Sequence, residues 1–192
     1  MIALETERLL LRNWIDSDRD LFREIFSDPK VMEFFPYRRS YAEADEIMDR
    51  VRGMIEEDGI GFLAATLRET GEPIGFCGLS HTHLEPALPD NAVEIGWRLA
   101  TRFWGNGYAS EAARALLALG FETHGFDEIL SFAVIANQRS LAVMERIGMQ
   151  RDPSGDFDHP RVPDSHPHLK RHALYRMTKA AYRESRHQQA IG

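Results

Sequence analysis

A chain of 192 residues buries roughly 70% of its unfolded surface on folding, so it needs no metal or disulfide to hold a core. Hydrophobic residues at 43% and charged residues at 28% exclude a disordered or fibrous chain. Basic residues number 23 against 30 acidic ones, a formal charge of −7, which makes a phosphate backbone a poor partner and argues against nucleic acid. The lone cysteine, Cys77, cannot form an internal disulfide and reads as an inert core residue of a reducing compartment. The first residues are acidic where a signal peptide starts basic, and no apolar run approaches the roughly 18 residues a membrane helix requires. A cytoplasmic protein with no membrane partner is expected.

In chain order, Leu9-Leu10-Leu11 between two arginines predicts a first strand. From Asp16-Ser17 a helix follows, with Leu21, Phe22, Ile25 and Phe26 on one face and Pro29 as its stop. Ser40-Tyr41-Ala42-Glu43 is a capping box for a second helix, whose Ala44, Ile47, Met48, Val51 and Ile55 repeat at helical spacing up to Gly59. The stretches 60–68 and 74–81 flank a Gly/Pro turn and predict a hairpin. Ala92 to Leu99 alternates, with Glu94, Gly96 and Arg98 on the polar side. The loop Arg102-Phe103-Trp104-Gly105-Asn106-Gly107 runs into a helix from Tyr108 to His124. Ile129 to Ile135 is a near-continuous apolar strand, and Asn137 caps a short helix that ends at Gly148. Residues 152–172, rich in Pro, His and Asp, predict a long loop; Ala173 to Met177 is a last strand, and the tail 184–192 is expected to fray. The whole, residues 1–192 with a core over about 4–183, reads as one α+β domain with a parallel βαβ element at its centre.

A strand, a glycine loop and a helix N-terminus together make an anion site, because unpaired N–H groups point outward where the helix dipole favours negative charge. Gly105 and Gly107 let the backbone approach a phosphate, and Arg102 can add a charged contact. A Walker loop needs a lysine and a hydroxyl where Gly107-Tyr108-Ala109 stand. A dinucleotide fingerprint needs a third glycine where Ser110 stands, and an acid at the far end of the next strand, which is apolar Val134-Ile135-Ala136. Both fail on residue content.

Arg-x-x-Gly-x-Gly over 102–107, after Ala92-Val93-Glu94-Ile95-Gly96-Trp97, resembles the coenzyme A loop of the GNAT N-acetyltransferase superfamily. Glu5 to Arg12, Trp104 to Ala112, Asn137 to Ser140 with Ile147 to Met149, and Leu174 to Met177 extend the resemblance, in order, to the RimJ/RimL-like subgroup of ribosomal-protein N-terminal acetyltransferases. The resemblance implies a mixed central sheet, helices on both faces and a splayed pair of parallel central strands. It implies acetyl transfer from acetyl-CoA to a primary amine, on a peptide N-terminus or a small molecule, without a metal. By the same resemblance Trp97, Arg98 and Leu99 face the pantetheine arm, Gly105, Asn106, Gly107, Tyr108 and Ala109 hold the pyrophosphate, and Asn137 contacts the pantetheine as well as capping its helix.

Aminolysis needs a neutral amine, and a carboxylate can take the proton. In related acetyltransferases a glutamate on this strand has that task, which points to Glu94; the alternatives are an ordinary solvated carboxylate, Glu33 or a water chain. The general acid of the superfamily is often a tyrosine in the helix after Asn137. Residues 141–149 lack one, so Ser140 is the available hydroxyl, unless the thiolate leaves unaided. His159, His166, His168 and His172 are irregularly spaced and argue against a metal site. His81 and His83, and the apolar Phe34 to Tyr37, are candidates for acceptor contact or plain packing. A CoA-binding module without turnover is the competing functional class, and a homodimer stays open.

Overall fold

Two glycines set how closely the strands that carry the candidate site approach their neighbours. The computed structural model describes residues 3–191, and the side chains of 4–188. They fall into two compact units, one of residues up to 80 with 96–115, the other of residues 81–95 with those from 116 onward.

The first unit holds β1 (Ala3–Glu5), β2 (Leu9–Arg12), β3 (Phe62–Leu67) and β4 (Pro73–His81), in the order β1-β2-β3-β4 and continuing to β5 (Val93–Leu99). The β1-β2, β2-β3 and β3-β4 pairs are antiparallel. Its helices are α1 (Arg19–Ser27), entered through a short turn at Asp16–Asp18, and α2 (Tyr41–Asp58). The Ser40–Glu43 capping box forms as expected, and Gly59 ends α2 in the left-handed conformation at φ 72°. Leu21, Phe22 and Ile25 of α1 are buried. Phe22 meets the fully buried Trp14 edge-on at 4.8 Å, and the Trp14 indole N–H donates to Phe62 O at 2.8 Å. Each such buried side chain is worth about 1.5–3 kcal/mol of apolar burial. Charges here pair: Arg12 clasps the buried Asp18 at 2.6 and 3.0 Å, and Arg23 clasps Asp45 at 2.9 and 2.7 Å.

The second unit holds the start of β5 beside β6 (Glu128–Val134), then β9 (Arg171–Thr178), with β7 (Gln150–Arg151) and β8 (Phe157–Asp158) both pairing β9. The expected parallel pair is present, registered at Glu94↔Leu130. The buried Ser131 hydroxyl, the polar exception in an apolar strand, donates to Ile95 O at 2.9 Å and secures that pairing. Helix α3 (Tyr108–Ala118) passes from one unit to the other and widens into a π-helical turn at Leu119–Thr123. α4 (Gln138–Arg146) carries the buried Met144, and α5 (Lys179–Ile191) runs on through the segment expected to fray. The mixed sheet and α+β content agree with expectation. β1, β7 and β8 were not foreseen, and the stretch expected to be a loop from 152 to 172 contains β8, two short helical turns and the first residues of β9. Among the described residues no helix is long and apolar enough to cross a membrane.

Gly75 and Gly78 are the close-approach positions. A Cβ on Gly75 (φ 151°) would lie 2.3 Å from Arg98 O and 2.6 Å from Leu99 Cα, so β4 lies against β5 only because that atom is missing. Gly75→Ala is expected to lower stability by about 2–4 kcal/mol through backbone overpacking. Urea unfolding measures it, and a loss below about 0.5 kcal/mol would show that the strands can separate at little cost.

Candidate active site

The glycine loop is built from three fixed points. Trp104 donates its indole N–H to Leu99 O at 2.8 Å, which ties the loop to the end of β5. The Asn106 amide donates to Phe103 O and Trp104 O at 3.3 and 3.2 Å and closes the turn. Gly105 and Gly107 adopt φ 80° and 81°, where a Cβ is strained. The Glu111 N–H to Gly107 O bond at 3.0 Å then opens α3, so the N–H groups at Tyr108 and Ala109 are helix-terminal donors. A glycine turn followed by a helix start is thus present where the sequence expects it, an arrangement able to receive an anion.

Two arginines stand at the loop. Arg102 is ion-paired with Glu24, approaches Glu72 at 4.0 Å and lies over the Phe103 ring. Arg8, from the far end of the chain, donates to Asn106 O at 3.0 Å and covers the Tyr108 ring at 4.6 Å. It also forms a 2.6 Å ion pair with Glu111. Burial pushes the Glu111 carboxyl up, but hydrogen bonds from Thr6 and Arg8 outweigh it and hold the group below its ordinary value.

Glu94 is half-buried, not the solvated carboxylate of an ordinary strand face. Its register partner is Leu130, which belongs to an apolar cluster with Leu84, Leu88, Phe157 and Leu174. Burial pushes the Glu94 carboxyl up to about 7, with the charge of Arg161 pulling the other way. A carboxyl near neutrality is suited to taking and releasing a proton. Arg161 is the residue that sequence reasoning missed; it donates to His83 O at 2.9 Å, and its N–H donates to His159 Nδ1 at 3.2 Å. No motif marks it, because its position follows from the path of the late loop.

Asn137 caps α4, its side-chain oxygen accepting from Ser140 N–H at 3.2 Å. Ser140 is half-buried on the first turn. The His159 and His172 rings lie 4.8 Å apart, tilted by 43°, beside Phe132 and Phe157. Burial lowers both, His159 to about 4, so they are neutral aromatic surface at pH 7. Among the described residues the cluster of donors within 4.8 Å of one another is His83, Glu85 and Asp90, all exposed. None of the late-loop histidines belongs to it. Cys77 is buried, and burial pushes its thiol up.

The glycine loop and helix start lie within residues 8–150, which match the family model described as an acetyltransferase (GNAT) domain. The chain belongs to the GNAT acetyltransferase family. It is therefore of a family of acetyl-CoA-dependent acyltransferases. The uncharacterized protein YkkB of Bacillus subtilis (strain 168) is 35% identical over 147 residues, 76% of this chain and 84% of that one. The crystal structure of an acetyltransferase from Agrobacterium tumefaciens str. C58 is 32% identical, with a TM-score of 0.73 over 92% of this chain and 94% of the other. RimL, a ribosomal L7/L12 alpha-N-protein acetyltransferase solved in complex with coenzyme A, is 16% identical. It shares the GNAT fold, with a TM-score of 0.73 over 92% of this chain and 98% of its own.

Two measurements test this geometry. A Cβ on Gly107 would meet only Arg8 Nη2 at 3.5 Å, so Gly107→Val is expected to fold. Its β-branched side chain at positive φ adds about 1–2 kcal/mol of strain and obstructs the loop, so CoA affinity should fall by about tenfold or more. Calorimetry reads it, and unchanged affinity would place the cradle elsewhere. For Glu94 the sign is opposite to that of a salt-bridged acid. Its folded pKa is raised from 4.5 to about 7, so the folded state binds the extra proton and stability is lost as pH rises through that interval. Glu94→Gln should stabilise the protein at pH 8 by about 1–3 kcal/mol and by much less at pH 5. Urea unfolding at both pH values measures the difference, and equal effects would mean an unperturbed carboxylate.

Proposed function

We propose that this chain transfers the acetyl group of acetyl-CoA to a primary amine by direct attack in a ternary complex, with Glu94 as the general base. The observation that carries the reading is the half-buried Glu94 carboxyl, pushed up to about 7, on the strand that leads into the glycine loop. Glu94 takes a proton from the acceptor ammonium, directly or through water, and the free amine attacks the thioester carbonyl. The C–N bond forms, the C–S bond breaks, and the proton that the attacking nitrogen sheds on becoming an amide passes through the Ser140 hydroxyl or solvent to the departing thiolate. The Gly105–Ala109 backbone binds the pyrophosphate, with Arg8 in the charged role first assigned to Arg102. The 97–99 stretch of β5 and Asn137 align the pantetheine arm. The family match spans residues of both compact units, and we take them to serve as one acetyltransferase domain. A peptide N-terminus, as named for RimL, and a small-molecule amine both fit this chemistry.

A base acts only when ionised, so the turnover number should rise with pH through about 7 and level off above it. Glu94→Gln should cut turnover by roughly 10²–10⁴-fold with near-native CoA affinity, and raising the pH should recover part of the rate as free amine forms unaided. The experiment is a thiol-release assay from pH 6 to 10 on one confirmed acceptor. A variant within a few-fold of wild type across that range would remove Glu94 from the mechanism. Tight CoA binding with no turnover on any amine would favour the non-catalytic CoA-binding module.

A further inference from the structure

Arg98 departs from the way this chain treats its arginines. Arg12, Arg19, Arg23, Arg102 and Arg176 each face a carboxylate. The Arg98 guanidinium is instead packed among three aromatic rings, 3.9 Å from the centre of Phe35, 4.6 Å from Phe26 and 5.3 Å from Phe76. Its one polar contact is a 3.5 Å approach to the Met32 sulfur, a weak acceptor. Among the described residues no carboxylate pairs with it, and burial alone lowers it, to about 9, which leaves it charged at neutral pH.

A guanidinium held by stacking on ring faces keeps its planar edge of N–H donors free for a planar oxyanion. Cation–π contact offsets part of the cost of removing the charge from water, but it satisfies none of those donors. The cage also opens to solvent on one side, because Phe35 is 42% exposed. Phe26 lies in α1, and Met32 and Phe35 lie in the connection to α2, so the cage is built from other elements than the glycine loop, whose own donors suit a pyrophosphate. Glu94 and Arg98 have the same parity on β5 and so project from one face of the strand.

We infer that the Arg98 guanidinium anchors a carboxylate of the acceptor, so that the acceptor class is an amine that also bears an acid group. This deepens the acetyl-transfer reading and rests on it. A hydrogen-bonded charge pair of this kind separates an acid from its neutral analogue by about 10- to 100-fold.

The test offers wild type, Arg98→Met and Arg98→Lys a panel of amino acids and dipeptides, each as the free carboxylate and as the carboxamide. Wild type should prefer the carboxylates by about 10- to 100-fold in kcat/KM. Arg98→Met should bring the acid-to-amide ratio of kcat/KM within the one protein to about one, whatever its overall rate, and Arg98→Lys should keep part of the preference. Titration calorimetry of the same pairs onto the CoA-bound protein reads the preference without turnover, so a failure of acetyl transfer is distinguished from a failure of this assignment. No carboxylate preference in wild type, which needs no variant to fold, would overturn it. So would an Arg98→Met protein that keeps the preference but loses CoA affinity, which would give the guanidinium to a CoA phosphate.

Discussion

The Glu111 carboxylate accepts hydrogen bonds from the Thr6 hydroxyl at 2.6 Å, the Arg8 N–H at 2.8 Å and the Arg8 guanidinium at 2.6 Å. These partners stand more than a hundred residues earlier in the chain, so one side chain on the first turns of α3 fixes where the N-terminal strands lie relative to the glycine loop. The same Arg8 reaches Asn106 O, so the loop is held from outside as well as by its own glycines. Charge-assisted bonds of this kind are short and directional, which suits a backbone that would have to hold its N–H groups in place for the proposed pyrophosphate contact. A carboxylate at this position would oppose an anion if left unpaired. With Arg8 over it, the local charge balances and the helix start remains attractive to a phosphate.

Glu94 and Arg98 show the opposite policy. Elsewhere the protein pairs its charges, as in the buried Arg12–Asp18 contact. These two residues on one face of β5 are drawn out of water with no short-range counterion, apart from the influence of Arg161 on Glu94. Each arrangement costs stability, and such local violations concentrate where a site needs reactivity or an unmet donor.

Helix-forming and capping signals were legible because they are local: Ser40 with Glu43, Gly59 and Asn137 sit where their residue types predicted. The glycine loop was legible for the same reason. The pairing of Arg102 with Glu24 was not legible because the two lie 78 positions apart in sequence, and nothing local shows it. Arg8 and Arg161 were missed on the same ground, and β8 because a two-residue strand has no periodicity to detect. The burial of Glu94 could not be read from alternation, which places a residue on a face but does not say what covers that face. Here the cover comes from Leu130, across the parallel pair, and from the Leu84–Leu88 segment packed with it.

That cover decides how hard the chemical step is for different amines. With Glu94 as the base, the uphill cost of moving a proton is the gap between acceptor and carboxyl pKa, at about 1.36 kcal/mol for each unit. An α-amine near 8 and Glu94 at about 7 leave roughly one unit, or about 1.4 kcal/mol. A lysine amine near 10.4 leaves more than three units, about 4.6 kcal/mol. At the ordinary carboxyl value of 4.5 the α-amine itself would face a gap of about 3.5 units, close to 5 kcal/mol. On the proposed mechanism, the burial of Glu94 lowers this cost by the same amount for every amine, and the cost stays smaller for α-amines than for side-chain amines. If Arg98 also holds an acceptor carboxylate, as inferred above, an amino acid or an acidic peptide N-terminus is the α-amine that would suit both proposed roles.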